Sequence, residues 1–254
     1  MIKIYSLLFL IFTGSAVLYA QKKPSPESSL YVGVQAGSPL FWGDLSSTGE
    51  KFRPGYGGGL FIGYRLTNWL AVEVNTDYIT GNIGASKWQT NDLIDNQGVI
   101  RYTQGSYKLG DIYSKIRLSR YGLRLPVQVL KIFRSEGKFN LEIAPHLFFN
   151  DFSTGIYNIK TNQKLMDGTK PKSLSYSMGG DLGFSYRINK QTKLFLRSSF
   201  SWLNDDKYDG VITYPAWKEN LMLYTTIGVS FDINTSKRTI IRQFLTNNTS
   251  DYEH

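Results

Sequence analysis

The sequence predicts an all-β fold, an eight-stranded antiparallel transmembrane β-barrel with an up-and-down meander, on three observations. The segment from Leu221 to Ile233 alternates apolar residues with small or polar ones, and a period of two indicates a β-strand. The same pattern recurs along the chain, as it does in strands that show one face to lipid and the other to a polar barrel interior. Short and long connections alternate between these segments, like the periplasmic turns and extracellular loops of outer-membrane barrels.

The N-terminus carries the pattern of a secretory signal peptide. Lys3 supplies positive charge, residues 7–12 are apolar, and Ala20 is a small residue that precedes an abruptly polar segment. We expect residues 1–20 to be the signal peptide and residues 21–29 to be an N-terminal periplasmic segment. An N-terminal membrane anchor is the alternative, but the apolar run is short for a bilayer.

Composition after this segment favours a barrel over a helical membrane protein. No later stretch approaches the roughly 18 apolar residues of a membrane helix, and a membrane protein without helices must be a closed barrel because lipid satisfies no open sheet edge. The chain has 17 Tyr, 15 Phe and 5 Trp, which suits the aromatic girdles of such a barrel. It has no Cys, which excludes a lipoprotein anchor, disulfides and thiolate metal sites. Its net charge of +9 comes without a nucleic-acid-binding motif, so no nucleic-acid partner is predicted.

Eight strands are predicted within residues 30–233, which form the predicted barrel domain. The predicted strands are residues 30–38 (or to 42), 57–66, 69–80, 118–132, 139–151, 174–188, 192–203 and 219–233. The short turns are residues 67–68, 133–138 and 189–191, and the long connections lie near 43–56, 81–115, 152–173 and 204–218. This order places both termini in the periplasm. A soluble β-sandwich or lipocalin-like barrel is the alternative, but it has no reason to sort its connections by length.

Alternate positions along these strands assign an apolar outer face and a polar inner face. The inner face carries five predicted acids and five predicted bases, together with one histidine that we expect to be hydrogen-bonded. These predicted interior residues are Arg65, Glu73, Asp77, Arg124, Glu142, His146, Asp181, Arg187, Lys193, Arg197 and Asp232. Side chains just fill an eight-stranded barrel, and buried charges must be paired. The balance of charge therefore predicts a closed, salt-bridged interior, with a narrow ion path as the alternative.

Two prolines interrupt the predicted fourth and fifth strands. Pro126 and Pro145 cannot donate a ladder hydrogen bond, and a closed barrel has no edge to hold them, so we expect local bulges there. Earlier in the fourth strand, Ile116 and Leu118 are apolar although their parity is that of the inner face. A further bulge near Ser119 would return them to the outer face.

The segments around these prolines resemble a known family. Residues 121–126, YGLRLP, and residues 139–145, FNLEIAP, resemble the L-x-I/L-P and G-x-F/Y-x-x-x-G-P strands of small outer-membrane β-barrels of Bacteroidota, with Ala144 in place of the usual glycine. Residues 41–45, FWGDL, are similar to the Y-x-G-D-L ending of the first strand in related barrels. The resemblance covers most of residues 30–233. It implies an integral outer-membrane barrel of the OmpA/OmpX type and carries no biochemical activity.

The last predicted strand resembles the signal that barrel-assembly machinery reads on a final strand. The residues that fit its polar-x-Gly-x-x-apolar-x-apolar pattern are Thr226, Gly228, Phe231 and Ile233. Simple amphipathic alternation is the alternative explanation. Residues 234–254 follow as a predicted periplasmic tail, which is either solvated or docked on a periplasmic partner.

The sequence favours a function without catalysis. One internal histidine and no cysteine predict no metal centre and no cofactor. A lipid-modifying barrel enzyme needs a serine and a histidine on its lipid-facing outer leaflet, whereas the parity of His146 points inward. We expect a non-enzymatic barrel whose loops bind an external partner, or an accessory subunit of an outer-membrane secretion, gliding or assembly complex. The expected partners are outer-membrane lipid, the barrel-assembly machinery and other outer-membrane or periplasmic proteins.

Overall fold

The computed structural model describes eight long strands. The described residues are 30–43, 54–84, 93–94, 111–133, 137–167, 175–205, 208, 212–213 and 220–233. The long strands are β1 Leu30–Trp42, β2 Tyr56–Arg65, β3 Ala71–Gly84, β4 Ile112–Arg124, β5 Phe139–Asn158, β6 Ser175–Arg187, β7 Thr192–Leu203 and β8 Asn220–Ile233. The predicted signal peptide, N-terminal segment and C-terminal tail lie outside the described residues.

The eight strands pair in chain order and close into a barrel. Each is antiparallel to the next, and β8 pairs with β1 to complete the circle. That closing register runs without a break from Leu30 opposite Ile233 to Trp42 opposite Leu221. The predicted eight-stranded antiparallel meander is therefore confirmed.

Shorter elements lie at the two ends of the barrel. Val127–Gln128 pairs with β5, and Lys164–Asp167 folds back on the far end of β5 as a hairpin. Leu93–Ile94 pairs with Ile212–Thr213 in a separate two-stranded sheet. The single helix of the described residues, α1, spans Val129–Phe133, and it is too short to cross a membrane.

The fourth strand ends earlier than predicted. It stops at Arg124, just before Pro126, and α1 occupies the positions that the sequence assigned to a strand reaching Ile132. Proline removes a ladder donor and interrupts the strand, but the pairing with β5 resumes in the same register at Val127 and Gln128, without the predicted bulge. The prediction of a strand was wrong from Val129 onwards, where the chain turns into α1.

Pro145 lies within β5 without the predicted bulge. The register between β5 and β6 continues across it, with Pro145 opposite Gly180. On its other side the carbonyl of Pro145 accepts a hydrogen bond from the backbone N–H of Leu125 at 3.1 Å. An N–H on residue 145 would face the same side, toward Leu125, so the missing donor falls in the gap between the Arg124–His146 and Val127–Ile143 pairs.

The bulge predicted near Ser119 is also absent. The register between β4 and β5 runs evenly from Ile112 opposite Asn158 to Arg124 opposite His146. Ile116 and Leu118 lie on the inner face and are fully buried. Their inward orientation needs no bulge, because this part of the interior is apolar.

The interior has two zones along the barrel axis. The zone near the short turns is charged, whereas the zone near the long connections is an apolar core. The apolar core consists of Phe41, Ile79, Ile83, Ile112, Ile116, Leu118, Phe152, Ile156, Leu203, Tyr208, Met222 and Tyr224. Because β3, β4 and β5 extend into this second zone, the connections predicted at residues 81–115 and 152–173 are shorter than expected. Tyr113 and Tyr157, predicted in loops, stack on neighbouring strands at 5.3 Å between ring centres.

The outer face carries an apolar belt. Its exposed side chains include Leu60, Ile62, Tyr64, Val74, Tyr78, Tyr121, Leu123, Ile143, Leu147, Leu182, Phe184, Leu196, Phe200 and Ile227. On β5 the belt runs from Phe139 to Phe149. At about 3.3 Å per residue and a tilt of about 45°, this length gives a belt about 25 Å tall, which matches the apolar band of a membrane barrel. None of the described outward positions in the belt is charged.

Glycines on the inner face lie directly opposite inner aromatic rings. The pairs are Gly33 with Phe61, Gly63 with Tyr31, and Gly228 with Phe195. A Cβ atom on any of these glycines would overlap the ring opposite. The rings therefore occupy space that glycine leaves open, and Phe61 meets Phe195 edge-on at 5.6 Å between ring centres.

Candidate functional site: a buried ion-pair network

Arg124 is the centre of an ion-pair network inside the barrel. Its Nε donates to Asp181, its Nη1 to Glu73 and its Nη2 to Glu142, the last at 3.1 Å. The side chains of Arg124, Glu73 and Asp181 are almost completely buried. Since these residues come from β3, β4, β5 and β6, one guanidinium group ties together half of the barrel wall.

Arg197 on β7 carries the network to the opposite wall. Its Nη2 lies 3.3 Å from Glu142 Oε1 and 3.6 Å from Glu73 Oε1. Its Nη1 donates to Gln35 Oε1 on β1 at 3.2 Å. The guanidinium group also faces the ring of Phe195, with 4.6 Å from the guanidinium carbon to the ring centre. Two arginines therefore bridge the full width of the interior.

Arg120 forms a second buried pair with Asp77. Its Nε donates to Asp77 Oδ2 at 2.9 Å, and Gln35 Nε2 donates to Asp77 Oδ1 at 2.6 Å. The guanidinium carbon of Arg120 lies 4.3 Å from the ring centre of Phe148 and 5.0 Å from that of Tyr224. This pair marks the border between the charged zone and the apolar core.

Arg120 is an interior charge that the alternation pattern did not predict. The predicted bulge near Ser119 interrupted the alternation just before it. Continuing the parity of Arg124 backwards without a bulge would have placed Arg120 on the inner face, where the structure has it.

A third cluster lies at the short-turn end. Arg65 on β2 donates to Asp232 on β8, and Lys193 Nζ lies 3.6 Å from Asp232 Oδ1. Tyr31 joins this cluster to the central network, because its hydroxyl donates to Glu73 Oε1 at 3.0 Å. Arg187, also predicted inside, is half-buried at the end of β6.

The interior charges balance. Apart from His146, five cations and five carboxylates take part in the ion pairs inside the barrel. The cations are Arg65, Arg120, Arg124, Lys193 and Arg197, and the carboxylates are Glu73, Asp77, Glu142, Asp181 and Asp232. Within the residues that the structure describes, no group of His, Asp or Glu is arranged to hold a metal ion.

His146 joins the network in an arrangement that resembles a Ser-His-Asp triad. Its Nδ1 lies 3.0 Å from Asp181 Oδ1, and its Nε2 lies 3.0 Å from Ser201 Oγ. These distances suit a nucleophile, a base and an orienting acid. However, Ser201 and the side chain of His146 are completely buried, and Asp181 is also bound by Arg124. The arrangement therefore fixes three strands to one another and presents no nucleophile to a substrate.

Ser201 in the folded protein is expected not to react with a fluorophosphonate probe, because no solvent reaches its hydroxyl. Mass spectrometry of the labelled, folded barrel checks this, with Ser201→Ala as the matched control. Labelling of the wild-type protein above the level of the Ser201→Ala variant would contradict a purely structural role.

The four residues of the predicted assembly signal lie in β8. Thr226 and Gly228 are on the inner face, and Phe231 and Ile233 are exposed on the outer face near the short-turn end. The fold gives Gly228 a packing role beneath Phe195. Recognition of this strand by assembly machinery stays a prediction.

Comparison with known proteins connects the fold to one family model. The model of the OmpA-like transmembrane domain matches residues 25–122, a range that includes β1 to β3 and most of β4. No curated protein matches the chain.

Several solved structures are similar in fold. Neisserial surface protein A is 13% identical, with a TM-score of 0.48, over 80% of this chain and 97% of that one. The attachment invasion locus protein Ail of Yersinia pestis is 10% identical, with a TM-score of 0.40, over 81% of this chain and 99% of that one. The outer membrane protease OmpT of Escherichia coli is 10% identical, with a TM-score of 0.37, over 84% of this chain and 100% of that one. Likenesses this distant say nothing about activity.

Proposed function

We propose that this protein is a non-enzymatic integral barrel of the bacterial outer membrane with a closed interior. The apolar belt is the observation that carries the proposal. Water would meet a continuous ring of exposed Leu, Ile, Val and Phe side chains, far more than a soluble monomer normally shows. Hydrocarbon meets the same ring without cost, and the closed ladder leaves no strand edge in lipid. The match to the OmpA-like transmembrane domain supports this proposal.

The long connections are proposed to face the outside of the cell, and both chain termini the periplasm. The order of short and long connections supports this orientation. Beyond the belt, the outer faces of β4 and β5 become polar, with Lys115, Arg117 and Ser153 on adjacent strands. The wall thus continues past the lipid into water with an apolar core inside it. A rigid extension of this kind would hold binding loops clear of the membrane surface.

The protein is expected in the outer-membrane fraction, with a gel mobility that changes on heating, because a folded barrel resists detergent until it is boiled. Cell fractionation followed by electrophoresis with and without boiling checks both points. A known periplasmic protein serves as the fractionation control. Recovery of the chain as a soluble periplasmic protein would overturn the proposal.

The purified barrel is expected to show no stable conductance in planar lipid bilayers. The ion pairs of Arg124 and Arg197 cross the charged zone, and the apolar core fills the other end. A general porin measured in the same bilayers provides the positive control. Steady single-channel currents in the nanosiemens range would show a pore instead of a closed interior.

A further inference from the structure

A small cavity lies where the charged zone meets the apolar core. Its volume is about 10 Å³, which is room for about one water molecule. The side chains around it include Arg120, Arg124, Asp181, Asn75 and Tyr224. It therefore lies between Arg120 and Arg124, whose clusters are connected through Gln35, which bonds both Asp77 and Arg197.

Buried polar atoms without partners border this cavity. Among the described residues, Arg120 Nη1, both side-chain atoms of Asn75 and the hydroxyl of Tyr224 have no hydrogen-bond partner. All three residues are at most 2% exposed. A buried polar group that lacks a partner is destabilising, and several such groups around one cavity indicate that the cavity binds a small polar molecule.

We propose that the cavity is a binding site for one resident water molecule, bonded by Arg120, Asn75 and Tyr224. Water fits because it both donates and accepts: Arg120 Nη1 and Asn75 Nδ2 donate to it, and Asn75 Oδ1 accepts from it. A halide ion fits less well, since the interior charges already balance and the space is that of one water. Bound there, the water gives Asn75 and Tyr224 their hydrogen-bond partner and joins them to the Arg120–Asp77 pair, which Gln35 already connects to Arg197.

Two substitutions distinguish a cavity that holds water from an empty one by whether the midpoint of urea unfolding falls or rises. Asn75→Leu fills the space and removes two of the partnerless atoms, and Tyr224→Phe removes a third while keeping the ring. If water is present, each variant strips a ligand from it or displaces it and strands the remaining groups, so the midpoint of urea unfolding falls. If the cavity is dry, each variant removes a buried polar group that has no partner, and the midpoint stays or rises. An unchanged or raised midpoint in both variants overturns the proposal.

Ser114→Ala is the matched control. The hydroxyl of Ser114 is also buried without a partner among the described residues, but it does not line the cavity. Its removal strands nothing, so the urea midpoint is expected to stay or rise. A fall as large as those of the cavity variants would show a generic cost of core substitution and overturn the assignment of water.

Crystallography gives the direct readout on the unmodified protein. At a resolution that shows ordered solvent, one density peak is expected within hydrogen-bond distance of Arg120 Nη1 and the Asn75 amide. A bromide soak with anomalous data tests the competing anion. An empty cavity, or an anomalous peak inside it, overturns the proposal, and a peak without anomalous signal supports it.

Discussion

Arg124→Met is expected to lower the free energy of unfolding by about 3–5 kcal/mol, the usual cost of removing one partner from a buried ion pair. The substitution keeps much of the side-chain volume and removes the one group, among the described residues, that contacts Glu73, Glu142 and Asp181 together. Those carboxylates would be left close together in the buried interior, with Arg197 remaining beside Glu73 and Glu142 but not beside Asp181. Equilibrium urea unfolding of the barrel refolded in lipid vesicles measures the loss.

Arg117→Met on the same strand is the matched control for this variant. Arg117 is exposed on the outer face beyond the belt, so the same change there is expected to stay within about 0.5 kcal/mol of the wild type. Adding Asp181→Asn to Arg124→Met should recover part of the loss, because it removes one stranded charge. Equal effects at positions 117 and 124 would mean that the network contributes little to stability.

Leu182→Arg is expected to destabilise the barrel by about 2–4 kcal/mol, the cost of a basic side chain on the lipid face near the bilayer midplane. Leu182 lies midway along the outer face of β6, between Met178 near one rim and Tyr186 near the other. An arginine there would place its charge at the greatest distance from water on either side. Urea unfolding from vesicles gives the free-energy difference.

Tyr186→Arg is the depth control, because the penalty falls to about 0–1 kcal/mol near the interface. A clear difference between positions 182 and 186 is the signature of a lipid environment. In a soluble barrel both positions would face water, and the two variants would cost the same. Equal losses would therefore exclude a transmembrane belt.

Alternation in the sequence predicted most of the barrel. The bounds of β7 agree with the prediction, and those of β8 differ by one residue. The pattern works where one face of a strand is apolar and the other polar, as along Glu73, Asn75 and Asp77 in β3. Alternation alone assigned Glu73, Arg124, Glu142, Asp181 and Arg197 to the inner face, where the structure has them, but it missed Arg120.

The errors arose where this contrast reverses or where a proline interrupts the strand. In the apolar zone β4 has Ile116 and Leu118 on its inner face and Arg117 on its outer face, so the two apolar residues looked misplaced and Arg120 went unnoticed. The helix α1 has the sequence VLKIF, a composition typical of strands, and it follows the strand interruption at Pro126 after only two further paired residues. Alternation also does not predict which residues of neighbouring strands pair with each other. That pairing is what places His146 and Ser201 on either side of Gly179.

The glycine–ring pairs of the inner face favour one register between neighbouring strands over its alternatives. A slip of one residue between strands would turn the whole belt inward, and burial forbids it. A slip of two residues keeps every side chain on its own face, so polarity alone cannot detect that error. Moving β2 by two positions would set Phe61 against Tyr31 or Gln35 instead of Gly33, and moving β8 would set Phe195 against Thr226 or Ser230 instead of Gly228. Side-chain size therefore favours the correct strand register, because each of these rings fits opposite a glycine and not opposite a larger residue.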